Sequence, residues 1–171
     1  MKKHFTLTIL AAAAVGLPVL TGTAAHAAPV ADTAAPRVAV VQLAAAPADV
    51  DAARAVILSE TNAARAAAGL APLAEHGDLN AIAQGCSDVQ AANGVMAHCA
   101  DYYTRFPVGW TNAAENVAFG QSVDDVVDAW LASPGHRANI LNPALTHIGI
   151  GFAVGSDGRT YFTQDFAGYP A

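Results

Sequence analysis

The chain reads as an α+β domain covering residues 49–171. Apolar residues recur at helical spacing through 51–68, 78–89 and 122–131. Two β-rich runs then close the sequence, His147 to Val154 and Thr160 to Phe166, separated by Gly155-Ser156-Asp157-Gly158. Helices first and strands last predict helices packed on a small antiparallel sheet.

The N-terminus reads as a secretion address rather than as part of that domain. Lys2 and Lys3 supply a positive start, Leu7 to Leu20 is apolar, and Ala25-His26-Ala27 has the form of a cleavage site. Residues 1–27 are therefore expected to be a signal peptide and Ala28 the first mature residue. The apolar run is short for a membrane span. Residues 28–48, rich in Ala and Val and punctuated by Pro29, Pro36 and Pro47, read as a linker or disordered tail, with a weak strand signal at Val38 to Leu43.

Within the domain, Val50, Ala53, Ile57, Ala64 and Ala68 mark the inner face of a first helix that stops at Gly69. Leu70 to Leu73 is a connector. Asp78 is the expected N-cap of a second helix with its stripe at Leu79, Ile82, Ala83, Cys86 and Val89. Residues 94–121 read as mostly irregular, with a strand near Trp110. Ser122 is placed to cap a third helix carrying Val123, Val126, Val127, Trp130 and Leu131, and Ser133-Pro134 to open a short fourth one. Asn142-Pro143 ends it. Gly155 to Gly158 makes a hairpin loop of four or five residues.

Beyond residue 27 the chain has no lysine. Six arginines stand against fourteen acids, a net charge of −8 with histidine neutral. Such a surface repels nucleic acid and anionic headgroups. The expected partner is an extracellular ligand, with no nucleic acid and no membrane span after cleavage. Cys86 and Cys99 are the only cysteines. In an exported chain a single pair reads first as a disulfide, closing a short loop worth about 3 kcal/mol. The competing reading is a metal site of the two thiols with His98.

A string of motifs carries a resemblance over about residues 53–168. Asn62-Ala63-Ala64-Arg65 and Gly69-Leu70-Ala71-Pro72-Leu73 come first, then Met96-Ala97-His98 and Glu115-Asn116-Val117-Ala118. Trp130 leads into Ser133-Pro134-Gly135-His136-Arg137-Ala138-Asn139-Ile140-Leu141, followed by Ile148-Gly149-Ile150-Gly151 and Tyr161-Phe162-Thr163-Gln164. This order resembles the CAP superfamily (cysteine-rich secretory, antigen 5, pathogenesis-related 1), in its short bacterial form. The resemblance implies a three-layer α-β-α sandwich with about four helices flanking the sheet. It also implies a polar cleft of His98, Glu115, Ser133 and His136. Full-length eukaryotic members carry a glutamate three residues after the tryptophan, where this chain has Ser133, so one carboxylate of the cleft is missing.

Two imidazoles and a carboxylate form a three-ligand set for zinc with one open position. His98, Glu115 and His136 are thus a candidate site for weakly bound zinc, and no other cofactor is indicated. His136 near a helix start should tend towards the neutral form. Bland roles compete throughout. Ser133 is a sufficient N-cap and sits in no G-x-S-x-G elbow. Glu115 can cap amides of its own loop, Asn62, Arg65 and Asn116 can brace loops, Trp130 suits the core, and Gln164 can either reach the cleft or bond at a strand end. The expected function is an extracellular binding or interaction module. A weak metal-assisted hydrolase is the alternative, and a lipid or sterol carrier using Tyr102, Tyr103, Phe106 and Trp110 is the third reading.

Overall fold

A computed structural model describes residues 47–170. The expected signal peptide, most of the linker and the strand signal at Val38 to Leu43 lie outside the described residues. The elements run α1 (Pro47–Ala67), β1 (Ala74–Glu75), α2 (Gly77–Asn93), a 3-10 turn at Tyr102–Arg105, β2 (Asn112–Phe119), α3 (Val126–Ala132), α4 (Pro134–Ile140), β3 (His147–Val154) and β4 (Thr160–Gly168). The α+β reading holds.

The sheet order is β1-β3-β4-β2. β2, β4 and β3 are antiparallel neighbours, but β1 runs parallel to β3, so the sheet is mixed rather than antiparallel throughout. The parallel strand is only two residues long and directly follows the segment expected to be a plain connector. It forms because Asn62 holds Leu73 in both directions: Nδ2–H donates to the Leu73 carbonyl at 3.1 Å, and the Leu73 amide donates to Oδ1 at 2.8 Å.

Strand alternation sends each face of the sheet to a different helical layer. Ile148, Ile150, Phe152, Phe162 and Phe166 face α1, α3 and α4 and form the main core with Ile57, Val126, Val127, Trp130 and Ile140. Trp130 is a core residue, and its indole N–H donates to the Val117 carbonyl at 3.1 Å. On the other face, Gly149 and Gly151 let the backbone of α2 come down onto β3. A Cβ at either position would collide with the Leu79 or Ala83 main chain. The alternating Ile-Gly-Ile-Gly run is thus the seam between layers. Beyond β1 the open edge of β3 is closed by side chains. Asn80 and Gln84 accept from the amides of Ile150 and Phe152, while Arg54 and Gln84 donate to the carbonyls of the same two residues. An edge so occupied offers no ladder to another chain.

Several local expectations shift. α1 opens at Pro47, and its fully buried line continues through Thr61 and Arg65, with Ala64 packed partly buried against the core and Ala68 exposed. Arg65 is only 2 % exposed and donates to the carbonyls of Ala71, Ile140, Asn142 and Leu145. On α2 the N-cap is His76, whose Nδ1 accepts from the Asp78 amide, and Asp78 itself lies inside the helix. Val89 is exposed, because Ser87 and Gln90 take the inward positions and bond to Thr163. α3 begins at Val126, with Ser122 accepting the Asp125 amide one turn earlier. Ser133 stands at the N-cap position of α4, yet its side chain makes no capping bond.

Candidate functional site

Glu115 lies in the middle of β2, not in a loop, with its side chain on the α2 face of the sheet. The segment after α2 folds over it because Cys86 and Cys99 form a disulfide, tying the buried face of the helix to the residue after His98. That bridge brings His98 Nδ1 to 2.7 Å from Glu115 Oε1 and the Cys99 amide to 3.1 Å from the same oxygen. Glu115 thus caps no amide of a loop of its own; from its strand it accepts the single amide of Cys99, in the segment after α2, and forms a histidine–carboxylate pair. Glu115 keeps 1 % of its side-chain surface exposed, whereas His98 keeps 64 %. Burial pushes the Glu115 pKa up, opposed by the His98 and Cys99 hydrogen bonds and by the His98 and Arg105 charges. With the carboxylate ionised, His98 donates through Nδ1–H, and in the neutral ring Nε2 is left as the basic nitrogen.

His136 reaches this region from the other layer. Asn116 Nδ2 donates to the His136 carbonyl at 3.2 Å and to Gln164 Oε1 at 3.1 Å. Asn139 donates to Asn116 Oδ1 at 2.8 Å and to the Glu115 carbonyl at 3.2 Å. Gln164, fully buried, donates in turn to Thr61. This amide network docks α4 on β2 and brings His136 within electrostatic reach of His98. Burial lowers the His136 pKa, and the His98 charge lowers it further. The neutral imidazole agrees with the sequence expectation, but desolvation ranks ahead of any helix-end effect as its cause.

Sequence reasoning missed the groups around the pair. Asp165 is the cross-strand partner of Glu115 on β4. It is fully buried, neither carboxylate oxygen has a hydrogen-bond partner, and burial together with the Glu115 charge pushes its pKa up to about 8. Tyr102 is pushed up to about 12 by burial and then by the same two acids. A lone acid inside the otherwise inward-facing run Tyr161 to Phe166 was the available signal. Gln90 Nε2 donates to Cys86 Sγ at 3.3 Å, and its own Oε1 is buried without a partner.

Among the described residues, the His, Cys, Asp and Glu ligand atoms that all come within 4.8 Å of one another are those of Cys86, Cys99 and Glu115. His98, Glu115 and His136 do not meet that spacing as a trio, so a zinc ion shared by them requires side-chain movement. The aromatic segment packs inward: Phe106, Tyr102 and Trp110 lie against Leu79 and Ala167. A depression of about 290 Å³ lined by Ala64, Ala67, Ala68, Leu131, Arg137 and Leu141 belongs to the α1 and α3–α4 layer, away from that segment.

The model of CAP, the cysteine-rich secretory protein family, matches residues 58–166. The chain belongs to the CAP family. This CAP domain is 35% identical over 120 residues to the uncharacterized protein YkwD of Bacillus subtilis, a match taking in 66% of this chain and 46% of that protein. It therefore spans less than half of that curated relative. An extracellular protein containing a SCP domain from Bacillus anthracis shares 30% identity with a TM-score of 0.58, over 69% of this chain and 41% of that one. An outer surface protein from Borrelia burgdorferi has the same fold, with a TM-score of 0.64 at 21% identity over 70% of this chain and 94% of that one.

Proposed function

We propose that this CAP domain is an extracellular binding module whose recognition surface is the cleft of His98, Glu115, Ser133 and His136. The observation that carries the reading is the commitment of Glu115. Its side chain is 1 % exposed, and Oε1 already accepts from His98 and Cys99. A carboxylate so held orients the histidine and is poorly placed to take a proton from a substrate. A partner meets mainly His98, with the exposed Val95, Met96 and Tyr103 on the same segment. Ser133, without a capping bond, is free to donate or accept at the cleft edge.

Secretion is part of the proposal. It is supported by the leader-like residues 1–27, by the disulfide, and by relatives described as extracellular or outer-surface proteins. No helix among the described residues is long and apolar enough to cross a membrane.

The alternative, a weak metal-assisted hydrolase, needs His98, Glu115 and His136 to close on one ion. The deciding experiment measures peptide and ester hydrolysis by the purified protein, with and without zinc, beside Glu115→Gln and His136→Ala. The binding-module reading expects background rates in all three. Zinc-dependent turnover that disappears in both variants would establish the hydrolase instead.

A further inference from the structure

The corner that holds the disulfide has a second chemical state. We propose that a dithiol reductant converts Cys86–Cys99 into a binding site for one zinc ion, held by the two cysteine sulfurs and Glu115. The exchange is balanced: the dithiol gives up two electrons and two protons and becomes a disulfide, and Cys86 and Cys99 become thiols. Zinc then displaces both thiol protons.

The geometry is close to what the ion needs. The sulfurs of Cys86 and Cys99 and a Glu115 oxygen already lie within 4.8 Å of one another. Cys86 Sγ is 3.7 Å from Glu115 Oε2. With Zn–S bonds near 2.3 Å and Zn–O bonds near 2.1 Å, the S···O edge of a tetrahedron is about 3.6 Å, so this edge is preformed. The S···S edge is about 3.8 Å, reached once the bridge opens and the sulfurs turn apart.

The outer shell is also in place. His98 and the Cys99 amide both bond Oε1, which leaves Oε2 for the metal and fixes the plane of the carboxylate. Gln90 Nε2 donates to Cys86 Sγ, a bond that stabilises a thiolate. Arg105 contributes positive charge near Glu115, against the surplus negative charge of two thiolates and a carboxylate. The fourth position is left for water or a ligand. This site adjoins the proposed cleft and shares Glu115 and His98 with it, but it does not rest on the binding function proposed there.

The test titrates oxidised and reduced protein with zinc by calorimetry and with cobalt(II) by absorption. Thiolate-to-cobalt charge-transfer bands report sulfur ligation, which the histidine cleft cannot produce. The expected result is one equivalent of metal bound by the reduced protein only, with those bands present. Near-UV circular dichroism of the zinc-loaded reduced form should match the oxidised form. Glu115→Gln should weaken zinc by more than the roughly ten- to hundredfold that loss of an outer-shell partner costs, and His98→Ala by about that amount. Equal zinc affinity in the two redox states would overturn the proposal. So would bands and affinity untouched by Glu115→Gln, or a native dichroism signal lost on reduction that zinc does not restore.

Discussion

Asp165 is the residue whose surroundings depart furthest from its ordinary chemistry. It is buried beside Glu115 with both oxygens unpaired, and its pKa of about 8 means the folded protein keeps it protonated at neutral pH. The folded state then binds a proton that the unfolded chain releases near pH 3.8, so stability falls as pH rises from about 4 to about 8 and levels off above. Each displaced unit is worth about 1.4 kcal/mol, a total of several kcal/mol. Asp165→Asn should flatten that slope and raise stability at pH 9, as read by urea unfolding at pH 5, 7 and 9. An unchanged slope would mean that Asp165 is not the protonated group. The motif residues His98, Glu115 and His136 were legible in the sequence as separate letters. Asp165 was not, because only the β2–β4 register makes it a neighbour of Glu115.

At the scale of elements, polar side chains decide how the layers join. Arg65 brings the end of α1 to the end of α4 through the carbonyls of Ile140, Asn142 and Leu145, and closes back on Ala71 in the connector after α1. Arg65→Ala should cost about 3–5 kcal/mol in chemical unfolding, since each buried carbonyl losing a charged donor forfeits about 1–3 kcal/mol and water recovers only part. Arg65→Lys should lose less but still measurably, because an ammonium cannot span the same fork. A loss below about 1 kcal/mol for Arg65→Ala, the scale of one ordinary hydrogen bond, would remove it as the brace. Helix periodicity located α1, α2 and α3, and the β-rich runs His147 to Val154 and Thr160 to Phe166 located β3 and β4. The eight-residue β2 reads as irregular in the sequence because its inward positions include Glu115 and Asn116 rather than apolar residues alone. Buried polar partners on α2 displaced Val89 for the same reason: hydrogen bonds to Thr163 outweighed side-chain hydropathy.

Across the whole molecule, one covalent link sets where His98 lies against Glu115. The Cys86–Cys99 bridge closes a loop of sequence separation 13, and Cys86→Ser with Cys99→Ser should cost about 3 kcal/mol in thermal unfolding. Alkylation without reduction should label neither cysteine, and two labelled thiols in exported material would remove the tether from the account. The three-layer architecture was legible through the CAP resemblance, yet no motif foretold that β1 would run parallel or that His136 would be docked by Asn116 and Asn139. The central claim is that His98 from the tethered segment and His136 from α4 share one cleft. The most direct measurement is the NMR titration of His136 in the wild type and in His98→Ala. Burial and the His98 charge both hold its pKa below 6.5, so removing His98 should move the midpoint upward while leaving part of the depression in place. A His136 titration curve that is identical in the two proteins would contradict a shared cleft.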